Sequence, residues 1–145
     1  MLKRAVLLKV ISWLVFSPTL AVAGEMLHCR ADVRAAMVKS WMTVDDGRSN
    51  YEAVFLIRED GSIDYRGTDR EWRRSNLVKI PAGTIAIFHT HPNDGDAGLS
   101  RADKAVADQN GVFVYVISNK GLYDYSMPTG QKLLRPDMQW EKSCN

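Results

Sequence analysis

The run AVFLI at positions 53–57 is continuously apolar where a half-solvated strand would alternate polar and apolar residues. An unbroken run of about five such residues predicts a strand covered on both faces. TIAIF at 84–88 reads as a second buried strand, so the chain needs a covering layer on each side of a sheet. From Asp32 to Met42, Val33, Ala36, Met37 and Trp41 recur at helical spacing, an amphipathic helix closed by the turn signal DDGRSN. A second helix is predicted from about Arg101 to Gln109. YEAVFLIREDGSIDYRG reads as a strand, a turn at Asp60 and Gly61, and a returning strand, while VFVYVIS and LYDYS are strands joined by the turn NKG. Strands and helices mixed on one core predict an α/β or α+β domain.

The N-terminal 23 residues carry Lys3, Arg4 and Lys9 but no acid, then an apolar run, Pro18, and small residues at Ala21 and Ala23. That pattern predicts a secretory signal peptide over 1–23 and a mature domain over 24–145, periplasmic or secreted. The apolar run Val10–Phe16 is shorter than the ~20 residues of a membrane span. Processing leaves 16 of the 19 bases against 17 acids, a net charge of −1, so no basic surface argues for nucleic acid. About 122 residues suffice for one compact core. Four tryptophans and a 46% hydrophobic composition argue against disorder. Both cysteines, Cys29 and Cys144, survive processing, and in an oxidising compartment an even count predicts one disulfide. A two-cysteine metal site is the alternative, but the pair lacks the short spacing typical of one.

Chemistry concentrates in IFHTHPNDGDAGLSRADKAVA, residues 87–107. Side chains two apart on a strand point the same way, so His89 and His91 can face one point in space. Pro92 ends the strand, and the glycine-containing loop turns the chain back. Ser100 is placed as a helix N-cap and Asp103 as its third residue, with a carboxylate that can point back toward the histidines. Two imidazoles and a carboxylate leave the fourth position of a zinc tetrahedron open, as in catalytic sites. Taken singly, a Ser and an acid at a helix start are an ordinary cap, and a histidine beside a buried strand is an ordinary core residue. Arg70, Arg73 and Arg74 could grip a carboxylate or phosphate, although a solvated surface is the simpler reading.

The spacing His89-Thr90-His91-Pro92, seven residues, Ser100, two residues, Asp103 resembles the H-x-H-P-x7-S-x-x-D signature of the JAMM (MPN+, JAB-domain) zinc metalloproteases. The element order from about Asp32 to Tyr125 is also similar to that family's. The resemblance implies a curved mixed β-sheet with flanking helices, Zn²⁺ held by His89, His91 and Asp103, and hydrolysis of an amide or isopeptide bond. It also implies a glutamate on an earlier strand as general base, for which Glu52 is the best match by position, ahead of Glu59 and Glu25, and an oxyanion-binding role for Ser100. Where the family commonly has glycines after that glutamate, this chain has Ala53, Val54 and Phe55. Export points to a peptide, protein or peptidoglycan substrate in the cell envelope. The alternatives are a secreted effector or toxin domain with the same chemistry, and a noncatalytic MPN-like interaction module.

Overall fold

The computed structural model describes residues 26–69 and 80–144. The segment read as a signal peptide, and Arg70, Arg73 and Arg74, lie outside the described residues. The architecture is mixed α/β. Strands β1 (Glu52–Arg58), β2 (Ile63–Asp69), β3 (Thr84–Thr90), β4 (Phe113–Ser118), β5 (Gly121–Ser126) and β6 (Gly130–Pro136) form one sheet in the order β2-β1-β3-β4-β5-β6. Helix α1 (Ala31–Thr43) and helix α2 (Arg101–Asn110) accompany it, with short 3₁₀ turns at Leu27–Cys29 and Asp137–Glu141. Only β3 and β4 pair in parallel, and α2 is the crossover between them. The other neighbours are antiparallel.

The two-sided cover predicted for the continuous apolar strand is present, because the side chains of β1 and β3 feed two separate cores. On one face Ala53, Phe55, Ile57, Ala86, Phe88, Tyr115 and Ile117 pack under Val33, Ala36, Met37 and Trp41 of α1. Phe55 stacks on Phe88 and Phe88 on Tyr115, with ring centroids 4.7 and 4.1 Å apart. On the other face Val54, Leu56, Ile87, Val114 and Val116 meet Leu99, Ala107 and Val112 around α2. Burial of each of the larger side chains stabilises the fold by roughly 1.5–3 kcal/mol. Alternation along the strands therefore decides which residues belong to α2's face, and His89, two residues after Ile87, belongs to it.

Three local devices fix the ends of these elements. Ser100 caps α2, its Oγ accepting from Asp103 N at 3.2 Å while the Asp103 carboxylate accepts from Ser100 N at 2.7 Å, a reciprocal capping box. Gly111, with φ +64°, supplies the left-handed residue that ends it. After α1 the chain turns through Asp45, Asp46 and Gly47, all at positive φ. A Cβ on Gly47 would stand 2.5 Å from Trp41 and 2.7 Å from Asn93, so only glycine lets this turn touch the loop after Pro92.

Cys29 and Cys144 form the expected disulfide, which ties the first 3₁₀ turn to the C-terminal segment and sets the two-cysteine metal reading aside. Such bonds persist in oxidising compartments. Among the described residues no helix is long and apolar enough to cross a membrane. Strand β6 was not expected from the sequence. It lies at the sheet edge with half-exposed and exposed residues alternating, so it carries no apolar run to announce it. Trp140 in the following 3₁₀ turn is buried at 1% exposure, meets Trp41 edge to face, and donates its indole N–H to Ser118 O.

Candidate metal centre

The site lies beyond the carboxyl end of β3, where the crossover to α2 begins; the ends of parallel strands in α/β sheets commonly bind ligands there. His89 is the penultimate residue of β3, and His91 lies just past the strand, still hydrogen-bonded by its N–H to Ile117 O at 2.9 Å. Thr90 between them points to the opposite face. Its hydroxyl accepts the Ala53 N–H at 2.9 Å, pinning the histidine strand to β1 beyond the last ladder pair, Val54 with His89. Glu52 is thereby held beside the histidines, two residues from Val54 and on the same face.

His89, His91 and Asp103 converge. His89 Nε2 lies 3.1 Å from His91 Nε2 and 3.3 Å from Asp103 Oδ1, and His91 Nε2 is 3.8 Å from Asp103 Oδ2. Bonds of about 2.0–2.2 Å to a tetrahedral zinc put neighbouring ligand atoms about 3.3 Å apart, so these separations have the scale of one coordination shell. Both imidazoles are nearly buried, at 5% and 7% exposure. His91 Nδ1 donates to Asp96 O at 2.9 Å, which leaves its Nε2 as a lone pair aimed at the centre. The backbone of Tyr115 hydrogen-bonds His89. Such outer contacts fix the tautomer of a metal-binding imidazole. Asp103 Oδ2 already takes the Ser100 N–H, and His91 Nε2 and Asp103 Oδ1 both accept, with His89 Nε2 the one atom between them that can carry a hydrogen. A cation fits this donor set.

The electrostatics agree with that assignment. Burial disfavours the charged form of His89, but the Asp103 carboxylate beside it, with help from Glu52, outweighs this and raises its pKa. His91 moves the other way, lowered by burial and then by the charge of His89. Burial opposes ionisation of Asp103, yet the charge and hydrogen bond of His89 and the contacts from Ser100 hold its carboxyl far below the usual range. Burial and neighbouring charge thus pull the pKa values of the two histidines apart, His89 upward and His91 downward, beside a carboxyl held ionised.

Glu52, His89, His91, Ser100 and Asp103 all line one cleft of ≈ 810 Å³. Every site residue expected from the sequence is therefore brought together. Of the other candidate bases, Glu59 follows the opposite end of β1, where its side chain lies by Gly83, and it does not line the cleft. Glu25 lies outside the described residues. The Ser100 hydroxyl is turned to Asp103, accepting from its N–H and hydrogen-bonding its carboxylate.

Three further groups hold the loop between His91 and Ser100. Lys120 Nζ donates to Gly95 O at 2.9 Å, Ser118 Oγ reaches Ala97 O at 3.4 Å, and Asn93 bonds Gly47 O and Asp46 O. Lys120, Ser118 and the Asp46–Gly47 turn that Asn93 meets lie far from this loop along the chain, and no local spacing marks them. Compared with protein-family models, with curated proteins and with solved structures, the chain shows no match.

Proposed function

We propose that the protein is a zinc-dependent hydrolase of amide or isopeptide bonds, a JAMM-like metallopeptidase of MPN/JAB-like fold that acts in the cell envelope. The observation that carries this reading is the convergence of His89, His91 and Asp103 at zinc-shell distances with Glu52 and Ser100 around the same cleft. Export, read from the N-terminal sequence and consistent with the disulfide, supports a substrate outside the cytoplasm.

His89, His91 and Asp103 would hold the zinc, which when bound would supply Lewis-acid polarisation of the scissile carbonyl and a water of lowered pKa. Glu52 accepts the proton that the attacking water loses and returns it to the departing amine. Glu52 lines the cleft beside the His89, His91 and Asp103 group without being part of it. Ser100 donates its hydroxyl hydrogen to the oxyanion, and to do so the hydroxyl must rotate away from Asp103. The capping lone pair can stay on the Asp103 N–H during that rotation, because acceptance and donation use different parts of the hydroxyl.

The test is to load the purified mature protein with zinc and incubate it with cross-linked peptidoglycan, unfolded polypeptide and lysine-isopeptide substrates, identifying products by mass spectrometry. New amide-bond products that disappear in Glu52→Gln are expected. Zinc-loaded protein that cleaves none of these substrates would contradict the hydrolase reading.

A further inference from the structure

The cleft has a part that the metal chemistry does not use. Moving away from the histidines, each bordering element changes from polar to apolar. On β1 the lining goes from Glu52 to Val54 and Leu56, on β3 from His89 back to Ile87, and on α2 from Ser100 and Asp103 to Val106. The strands do this with period two and the helix with a step of three, so the apolar residues share one face, with Val54 and Leu56 as its packed floor at 1% and 0% exposure. Val114 of β4 and Ile80 complete it. Beyond Asp103 the only polar side chain lining this part among the described residues is Gln109, while Asp96 and Arg101 line the cleft toward the metal end.

Resting on the hydrolase reading, we infer that this arm is a subsite for a bulky aliphatic or aromatic side chain next to the scissile amide, which favours a polypeptide substrate. Peptidoglycan stems offer small or charged groups at their cross-links, and among the described residues nothing in the arm pairs with a charge. Pockets of about 300–1,000 Å³ with apolar walls and a few convergent polar groups suit an apolar ligand group of this kind. The wall residues Val54, Leu56 and Ile87 also belong to the core under α2, so the subsite is rigid and its preference should be for shape as well as polarity.

The test measures binding, which is independent of turnover. Calorimetry on the zinc-loaded protein compares acetohydroxamate with N-acetyl-leucine hydroxamate and with 2-isobutylsuccinyl hydroxamate, whose isobutyl groups lie on the acyl and amine sides of the chelating group. One of the two isobutyl compounds is expected to bind about 10- to 100-fold tighter than acetohydroxamate, the gain from burying such a group. In Val106→Trp the advantage should vanish while acetohydroxamate binds as before. Ala105→Trp, at an exposed position that also lines the cleft, gives the same comparison if the first variant fails to fold. Equal affinity for all three compounds, or an advantage unchanged by filling the arm, overturns the subsite. Tight binding of an isobutyl compound by a protein that cleaves nothing would instead remove the hydrolase reading and leave the subsite standing.

Discussion

Removing the disulfide by the double change Cys29→Ser and Cys144→Ser should destabilise the protein by about 3–5 kcal/mol while leaving the metal centre in place. The two cysteines are 115 residues apart in sequence. Closing a loop of that length in the unfolded chain costs about 16 cal/mol/K of entropy, or about 5 kcal/mol at 25 °C, which sets the upper value. Part is offset because Leu27 and Trp140, at 6% and 1% exposure, still dock both ends onto the core without the covalent link. For a domain of about 120 residues the loss corresponds to a fall in Tm of roughly 10–20 °C. Circular dichroism melts of oxidised wild type and double variant, with zinc content measured alongside, give both readouts. The centre is expected to survive, since its residues come from β1, β3 and α2 and none from the tethered ends. A double variant within about 1 kcal/mol of wild type, or two titratable thiols in native protein, would refute the reasoning.

Glu52→Gln should retain zinc and fold normally while turnover falls by ~10²-fold or more, as general-base loss does; unchanged activity would move the role elsewhere. Ser100→Ala should lower stability by ~1 kcal/mol through the lost cap and lower kcat by roughly 10²-fold with KM little changed, and a normal kcat on a verified substrate would reduce Ser100 to a helix cap. Zinc binding should release about one proton near pH 6. The signs follow from the groups facing the centre: His89, raised by its carboxylate neighbour Asp103 with help from Glu52, must give up its proton to bind metal. His91, lowered by burial and by the charge of His89, contributes less, and Asp103, held far below the usual carboxylate range, contributes nothing. Release falls away as pH rises through the His89 pKa, and calorimetry in buffers of differing ionisation enthalpy reads it; no release, or two protons, would contradict these protonation states.

The parts of the fold that depend on local periodicity were legible in the chain itself. AVFLI announced a strand covered on both sides, Val33 to Trp41 announced α1, and the serine–aspartate pair announced the start of α2, because each signal repeats within one element. The converging His89, His91 and Asp103 group was legible for the same reason, being spread over only fifteen residues. Glu52 depended on strand order: only the pairing of Val54 with His89 puts it beside the histidines. Strand β6 escaped because an edge strand with alternating exposure has no apolar run. Lys120, Ser118 and Thr90 support the site through contacts between distant segments, and such contacts leave no spacing to read.

The most direct test of the metal centre is its stoichiometry. The mature domain, loaded with excess zinc, dialysed and analysed by plasma mass spectrometry, is expected to retain about one zinc per chain. The His89→Ala, His91→Ala double variant is expected to retain none while its disulfide and circular dichroism spectrum stay unchanged. Wild-type protein that retains no zinc, or a double variant that retains as much as wild type, would contradict the assignment of His89, His91 and Asp103 as a metal site.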